Sequence, residues 1–192
     1  LSSSSAASDV YKRQEGNLPE EYSELTNLRI LRLKSYSSAI NGGLTGSIPV
    51  SYGNLVNLTT LDLWGNALTG TLPDSLSNLV NMEYFSVAYN LISGTLPDSY
   101  SSWTNIIRFE VFNNDLEGTI PASYSSFTQM EYFTVNDNRL SGTLPPSFSQ
   151  WTSLTNFNVH NNNLSGSLPQ SYDQWTNLAV FNAFNNAFSG TI

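Results

Sequence analysis

The fold is decided by the stretch LTTLDLWGNALTGTLP, residues 58–73. Its leucines first alternate with other residues, a period of two that predicts a short strand with one buried face. Asn66 then supplies a side chain that both donates and accepts hydrogen bonds, so it can satisfy backbone groups of its own turn and the neighbouring one. Gly70 permits backbone angles that other residues resist, and Pro73 removes a backbone donor. The stretch therefore predicts one strand followed by one inward turn.

The same phrase recurs every 24 residues along most of the chain. Identical strands, one per turn, can pair only in parallel, about 4.8 Å apart. A fixed period of this size predicts a solenoid. We expect an α/β-type repeat solenoid of about seven repeats over residues 15–192, with a parallel β-sheet on the concave face and a mostly irregular or 3-10 convex side. The recurring asparagines form the structural ladder of this coil: Asn66, Asn90, Asn114, Asn138, Asn162 and Asn186.

Large side chains recur at the same spacing on both sides of the coil. One inward strand column carries Leu31, Leu61, Phe85, Phe109, Phe133, Phe157 and Phe181. The returning segment carries Tyr100, Trp103, Tyr124, Phe127, Phe148, Trp151, Tyr172 and Trp175. We interpret both sets as core and wall packing, because one large apolar residue per turn fills a continuous interior.

Composition excludes several classes of function. The 192 residues are 40% hydrophobic and only 11% charged, with a formal net charge of −8, which favours one domain with a sizeable core. After Ser35 the basic residues are Arg108 and Arg139 against ten acidic ones, so a nucleic-acid partner is excluded. Cysteine is absent, which removes disulfides and thiolate metal sites. No apolar run reaches the roughly 18 residues that a membrane span needs.

Both ends of the chain depart from the repeat. Residues 1–14, LSSSSAASDVYKRQ, match nothing downstream, and DVYKRQ resembles a translated sequencing adapter. We interpret residues 1–14 as a disordered adapter remnant, the alternative being a native serine-rich leader. At the other end, residues 189–192 stop within the repeated phrase. Because a solenoid needs capping repeats, we expect an uncapped fragment that is prone to aggregate at Ile192.

The first full repeat carries an insertion. Leu28 and Leu58 are 30 residues apart instead of 24, which places six extra residues within 35–43. Gly42 occupies the ladder position of this repeat, with Asn41 beside it. The ladder is therefore expected to be interrupted here.

Residues 58–73 resemble the plant-type leucine-rich repeat, and the likeness extends from Gly16 to Ile192. The resemblance implies a right-handed curved coil that usually serves extracellular recognition. Phenylalanine in place of leucine in the strand, and Tyr-Ser-Ser-Trp at 100–103, are also similar to the surface-antigen leucine-rich-repeat proteins of kinetoplastid protists. The cysteine-rich caps common on extracellular members are absent.

Function is expected on the concave face, where the outward strand positions differ most between repeats. Aromatic residues and arginine are typical anchors of interfaces. The alternative is that the aromatic side chains pack against one another across strands and bind nothing. The candidate ligand-binding residues are Trp64, Tyr84, Arg108, Glu110, Phe112, Tyr132, His160 and Phe184. We expect a protein or peptide ligand, with a glycan as a further option.

Catalytic and metal chemistry find little support in the sequence. His160 is the single histidine, so no histidine metal cluster can form, and no nucleophile-elbow phrase is present. Glu110 and Asp62 lie two strands apart, about 10 Å, and nothing in the sequence suggests a raised pKa at either. We expect no enzyme, no cofactor and no metal. Asn57 and Asn163 begin glycosylation sequons.

These observations lead to one functional hypothesis with two alternatives. The first is a non-catalytic, surface-antigen-like recognition or adhesion domain, located outside the cell or at its surface. The second is the ectodomain of a receptor kinase, and the third is a structural glycoprotein coat. Any membrane attachment would lie in segments outside this sequence.

Overall fold

Every repeat begins with a three-residue strand, because the alternating phrase buries one side of an extended segment. The computed structural model describes residues 15–35 and 43–190. Seven strands pair in parallel with equivalent residues opposite one another, for example Phe85 against Phe109. They form the concave sheet of the solenoid: Ile30–Arg32, Thr60–Asp62, Tyr84–Ser86, Arg108–Glu110, Tyr132–Thr134, Asn156–Asn158 and Val180–Asn182.

Each returning segment is a five-residue 3-10 helix that follows a proline. The proline fixes φ in an extended conformation, for example −67° at Pro97, and the helix starts at the next residue. The expected 3-10 convex side is therefore confirmed. The helices are Glu20–Glu24, Val50–Asn54, Asp74–Asn78, Asp98–Ser102, Ala122–Ser126, Pro146–Gln150 and Gln170–Gln174.

Aromatic rings from both sides meet in the core. Phe133 of the concave sheet stacks on Phe157 at 5.7 Å and contacts Trp151 of the returning side at 5.0 Å. The polar atoms of these side chains are satisfied by the preceding turn, since Trp151 Nε1 donates to the Tyr124 carbonyl oxygen. Phe181, the last ring of the column, is 37% exposed because no further described repeat covers it.

A second parallel sheet, absent from our sequence prediction, lies between the ladder asparagine and the proline. Its strands are Ser93–Thr95, Asp115–Thr119, Arg139–Thr143, Asn163–Gly166 and Ala187–Phe188. A separate pair, Glu15–Asn17 and Gly43–Thr45, lies at the N-terminal end. The second sheet exists because the solenoid brings the same exposed backbone of successive turns side by side, where its N–H and C=O groups need partners.

The ladder asparagines connect consecutive turns. Asn90 Oδ1 accepts a hydrogen bond from the Leu68 N–H at 3.0 Å. Its Nδ2 donates to the carbonyl oxygens of Val87 and Leu63, at 2.9 and 3.0 Å. Asn114, Asn138, Asn162 and Asn186 repeat this geometry. Each asparagine thereby replaces three backbone partners that an inward turn leaves unsatisfied.

Three predictions lie outside the described residues. The adapter interpretation of residues 1–14 and the interrupted ladder at Gly42 both remain predictions. The aggregation expected at Ile192 also remains a prediction, because Ile192 lies outside the described residues.

Candidate functional site

The middle column of the concave face is buried at three of its positions, contrary to our expectation that all outward strand positions form its surface. Asp62 is 4% exposed, Ser86 is fully buried and Thr134 is 9% exposed. On a concave sheet the side chains converge, and larger residues in the two flanking columns cover the small ones between them. In these three repeats the accessible surface is therefore made mainly by the flanking side chains.

Three aromatic rings form a continuous row along one flank of the concave face. Tyr89 lies between Trp64 and Phe112, with 5.2 Å between its ring centroid and each of theirs. Both contacts are edge-to-face, at 66° and 79°, the geometry that aromatic quadrupoles favour. Ala88, the equivalent residue in the repeat between those of Trp64 and Phe112, is fully buried. We call Trp64, Tyr89 and Phe112 the aromatic row.

Tyr89 was not among the predicted site residues, and its backbone is unusual. Its φ is +54°, in the left-handed region. The equivalent positions hold residues that tolerate this region: Gly65, Asn113, Asp137, Asn161 and Asn185. A bulky side chain there costs roughly 1–2 kcal/mol, yet the Tyr89 ring is 48% exposed. The sequence signal was available: one tyrosine in a column that, from Gly65 onward, is otherwise made of glycine, asparagine and aspartate.

An ionic cluster lies on the opposite side of the buried column. The Tyr84 hydroxyl donates to Glu110 Oε2 at 3.1 Å, and Arg108 lies 3.8 Å from Glu110 Oε1. The Arg108 guanidinium also lies over the Tyr132 ring, 3.7 Å from its centroid, a cation–π contact. Four predicted residues are therefore brought together in one cluster.

The pKa of Glu110 is raised, which corrects our expectation that neither carboxylate of this column would be perturbed. Burial is the main cause, and the Tyr84 hydrogen bond and the Arg108 charge oppose it. Burial and the negative charge of Glu110 in turn raise the pKa of the Tyr84 hydroxyl. Neighbouring side chains cover the Glu110 carboxylate, so only 17% of the Glu110 side chain is exposed.

The last repeats carry a network of amides instead of aromatic side chains. Asp137 accepts hydrogen bonds from the amides of Asn136 and Asn161, and His160 Nε2 lies 3.7 Å from Asp137 Oδ2. His160 stacks on Phe184 at 4.4 Å. His160 and Phe184 are thus separated from the other predicted residues by this polar network. Phe184 is 56% exposed, whereas the other seven predicted residues are partly buried.

Charge is unevenly distributed along the concave face. Arg29, Arg32 and Lys34 in the first repeat are exposed. From Thr59 onward the strands and their immediate flanks carry five acidic residues against Arg108: Asp62, Glu83, Glu110, Glu131 and Asp137. The centre of the face is therefore negative, and it presents aromatic rings.

The Leucine Rich Repeat family model matches residues 57–79, 129–151 and 153–175. Among solved structures, the ectodomain of the Arabidopsis thaliana receptor kinase GASSHO1/SCHENGEN3, in complex with CASPARIAN STRIP INTEGRITY FACTOR 2, is 32% identical with a TM-score of 0.87. The comparison covers 93% of this chain and 21% of that one. The chain therefore contains leucine-rich repeats, and its fold is similar to that of a leucine-rich-repeat ectodomain. A search of curated proteins gave no significant match.

Two further similar structures are those of plant receptors. The peptide hormone receptor RGFR1, in complex with RGF2, is 29% identical with a TM-score of 0.80 over 93% of this chain and 31% of that one. The Arabidopsis receptor kinase HAESA, in complex with the peptide hormone IDA and the co-receptor SERK1, is 26% identical with a TM-score of 0.72. That match covers 92% of this chain and 33% of the HAESA chain. This chain thus spans a fifth to a third of the length of these three similar chains.

Within residues 15–35 and 43–190, no helix is long and apolar enough to cross a membrane. Of the two sequon asparagines of this leucine-rich-repeat chain, Asn57 donates its Nδ2 to the Thr26 carbonyl oxygen at 2.8 Å. Asn163 is exposed at the start of a second-sheet strand.

Proposed function

We propose that this domain is a non-catalytic recognition module, extracellular or at the cell surface, that binds a protein or peptide ligand on its concave face. The observation that carries the proposal is the aromatic row lying beside the Tyr84–Glu110–Arg108–Tyr132 cluster. Half-buried aromatic and arginine side chains held rigidly by neighbours are the usual anchors of tight interfaces. The similar plant ectodomains whose structures contain peptide ligands support the same assignment.

A receptor-type ectodomain is favoured over a surface-antigen-like adhesin. The two features that suggested an adhesin, the phenylalanine column and the Tyr-Ser-Ser-Trp phrase, pack on each other: Phe85 lies 5.0 Å from Trp103. Both residues are fully buried. These features therefore describe the filling of the core and carry no information about a ligand. Adhesion and a non-binding glycoprotein coat remain alternatives for the experiment.

The experiment begins with selection of peptides from a random displayed library on the purified chain. Selected peptides are then titrated against the wild type and the double variant Phe112→Ala, Tyr132→Ala. We expect the double variant to lose capture while remaining folded, because it removes one anchor from each side of the buried column. Val50→Ala and Val56→Ala, at exposed positions outside the concave sheet, serve as the control.

Three outcomes would count against the proposal. If the double variant captures peptides as well as the wild type does, the binding surface lies away from the aromatic row and the Tyr84–Glu110–Arg108–Tyr132 cluster. If the library yields no binding peptide and a glycan array yields a sugar ligand, the ligand is a glycan and not a peptide. A chain that captures neither would favour the coat.

A further inference from the structure

The spacing of the aromatic row limits the conformation of its ligand. Trp64 and Phe112 occupy equivalent positions two strands apart, which corresponds to about 9.6 Å. A polyproline II helix has three residues per turn and a rise of 3.1 Å, so residues i and i+3 lie about 9.3 Å apart on one face. A ligand running across the strands would place two such residues on Trp64 and Phe112, with Tyr89 between them.

Other modes of peptide recognition fit this surface poorly. Addition of a β-strand needs a free sheet edge, but the strands from Thr60–Asp62 to Asn156–Asn158 are paired on both sides. An amphipathic helix needs an apolar groove, but the column beneath the rings is polar and buried, including Asp62 and Ser86. Proline-rich segments instead dock on aromatic side chains and bring a backbone that is already ordered.

Charge adds a second requirement. Glu110 lies two residues from Phe112 in the same repeat, and Asp137 holds the position equivalent to Tyr89 two repeats on. Their side chains are 17% and 31% exposed, whereas Asp62 beside Trp64 is buried. Arg108, which lies near Glu110, is also held over the Tyr132 ring. The acidic surplus around the row therefore favours a ligand with a basic side chain beside its prolines.

We propose that the concave face recognises a proline-rich peptide in the polyproline II conformation that carries a basic residue, with the aromatic row as its docking surface. This inference rests on the proposed function and specifies its ligand class. Tyr89 is the anchor that the structure adds to the predicted set. A left-handed position that the neighbouring repeats fill with glycine, asparagine or aspartate here holds a half-exposed ring.

The backbone of Tyr89 also supplies a selective test. Asparagine is the residue found at three of the equivalent positions, so Tyr89→Asn removes the ring without imposing backbone strain. Leu91→Asn is the matched control, because Leu91 is 44% exposed and lies outside the row. Thermal unfolding of both variants would establish that each is folded before binding is compared.

The probe is a nine-proline peptide with arginine at each end, titrated calorimetrically into the purified chain. Its comparison peptide keeps both arginines but replaces the prolines with alternating glycine and serine. We expect the proline peptide to bind at least about tenfold more tightly than the glycine–serine peptide, and Tyr89→Asn to weaken it by about tenfold or more. Leu91→Asn should bind like the wild type.

Three outcomes would overturn the inference. The two peptides could bind equally, Tyr89→Asn could bind the proline peptide as the wild type does, or the row could be covered by a second copy of the chain. The last case would appear as a concentration-dependent dimer that Tyr89→Asn dissociates. If library-selected peptides bind the concave face without proline or Tyr89, the ligand class is wrong while the proposed function stands. If no peptide binds, both fail.

Discussion

Glu110 shows how a single side chain acquires properties that its sequence position does not indicate. Its column alternates small and acidic residues, which suggests an open, solvated surface. In the folded chain the neighbours converge over it, and burial raises its pKa despite the nearby Arg108. Tyr89 stands out in its column of the sequence, but its contacts with Trp64 and Phe112 become evident only once the left-handed turn has been built.

The raised pKa predicts a specific pH dependence of stability. The folded chain binds more protons than the unfolded chain at pH values just above the ordinary glutamate pKa. The contribution of Glu110 is therefore fully present below that value and is lost as the pH rises through the folded-state pKa. We expect the stability of Glu110→Gln relative to the wild type to increase as the pH rises from acidic to neutral. Urea denaturation at each pH measures the free energy of unfolding of both proteins.

Glu131→Gln is the control for this measurement. It removes an exposed carboxylate from the same face and therefore makes the same change in net charge. A difference between wild type and Glu110→Gln that moves in the opposite direction with pH would contradict the burial of Glu110.

At the scale of strands and turns, much of the architecture was predictable from the repeat. The concave strands, their parallel pairing and the 3-10 return follow from alternation, fixed period and proline. The second sheet does not, because segments such as Ser93–Thr95 have no alternating apolar residues. Its register also differs: Thr95 lies opposite Glu117, 22 residues on, rather than opposite its equivalent Thr119. Pairing there arises from the proximity of successive turns, which no single segment encodes.

The ladder connecting these elements can be tested at Asn114. Its side chain accepts from the Ile92 N–H at 2.9 Å and donates to the Val87 and Val111 carbonyl oxygens at 3.0 and 3.1 Å. Asn114→Ala leaves the Ile92 N–H without a partner, at about 1–3 kcal/mol, and removes one of the two asparagine donors from each carbonyl oxygen, which Asn90 and Asn138 continue to serve. We expect the free energy of unfolding to fall by about 2 kcal/mol or more, measured by equilibrium urea denaturation.

Asn105→Ala provides the comparison. Asn105 belongs to a second asparagine column on the edge of the coil, and its single hydrogen bond to the Val80 carbonyl oxygen is 3.5 Å long and exposed. Water can replace such a bond, so we expect a loss below about 1 kcal/mol. Equal losses in the two variants would show that the ladder contributes no more than an ordinary surface amide.

The whole molecule is a one-dimensional stack, so its stability and its solubility depend on different parts. Interior repeats bury their rings on both sides, as Phe157 does at 0% exposure, whereas Phe181 is 37% and Phe184 56% exposed. The formal net charge of −8 opposes association of two such surfaces through mutual repulsion. Salt screens that repulsion and leaves the apolar attraction in place.

We therefore expect the 192-residue chain to self-associate through its last repeat, more strongly as salt is added. Sedimentation velocity over a range of protein and salt concentrations measures this directly. Phe184→Asn should reduce association, because it removes an exposed ring and leaves the buried phenylalanine column of the core intact. Val50→Asn, at a position 69% exposed and remote from the last repeat, should leave association unchanged. A chain that stays monomeric at all concentrations would mean that charge repulsion outweighs the exposed end of the stack.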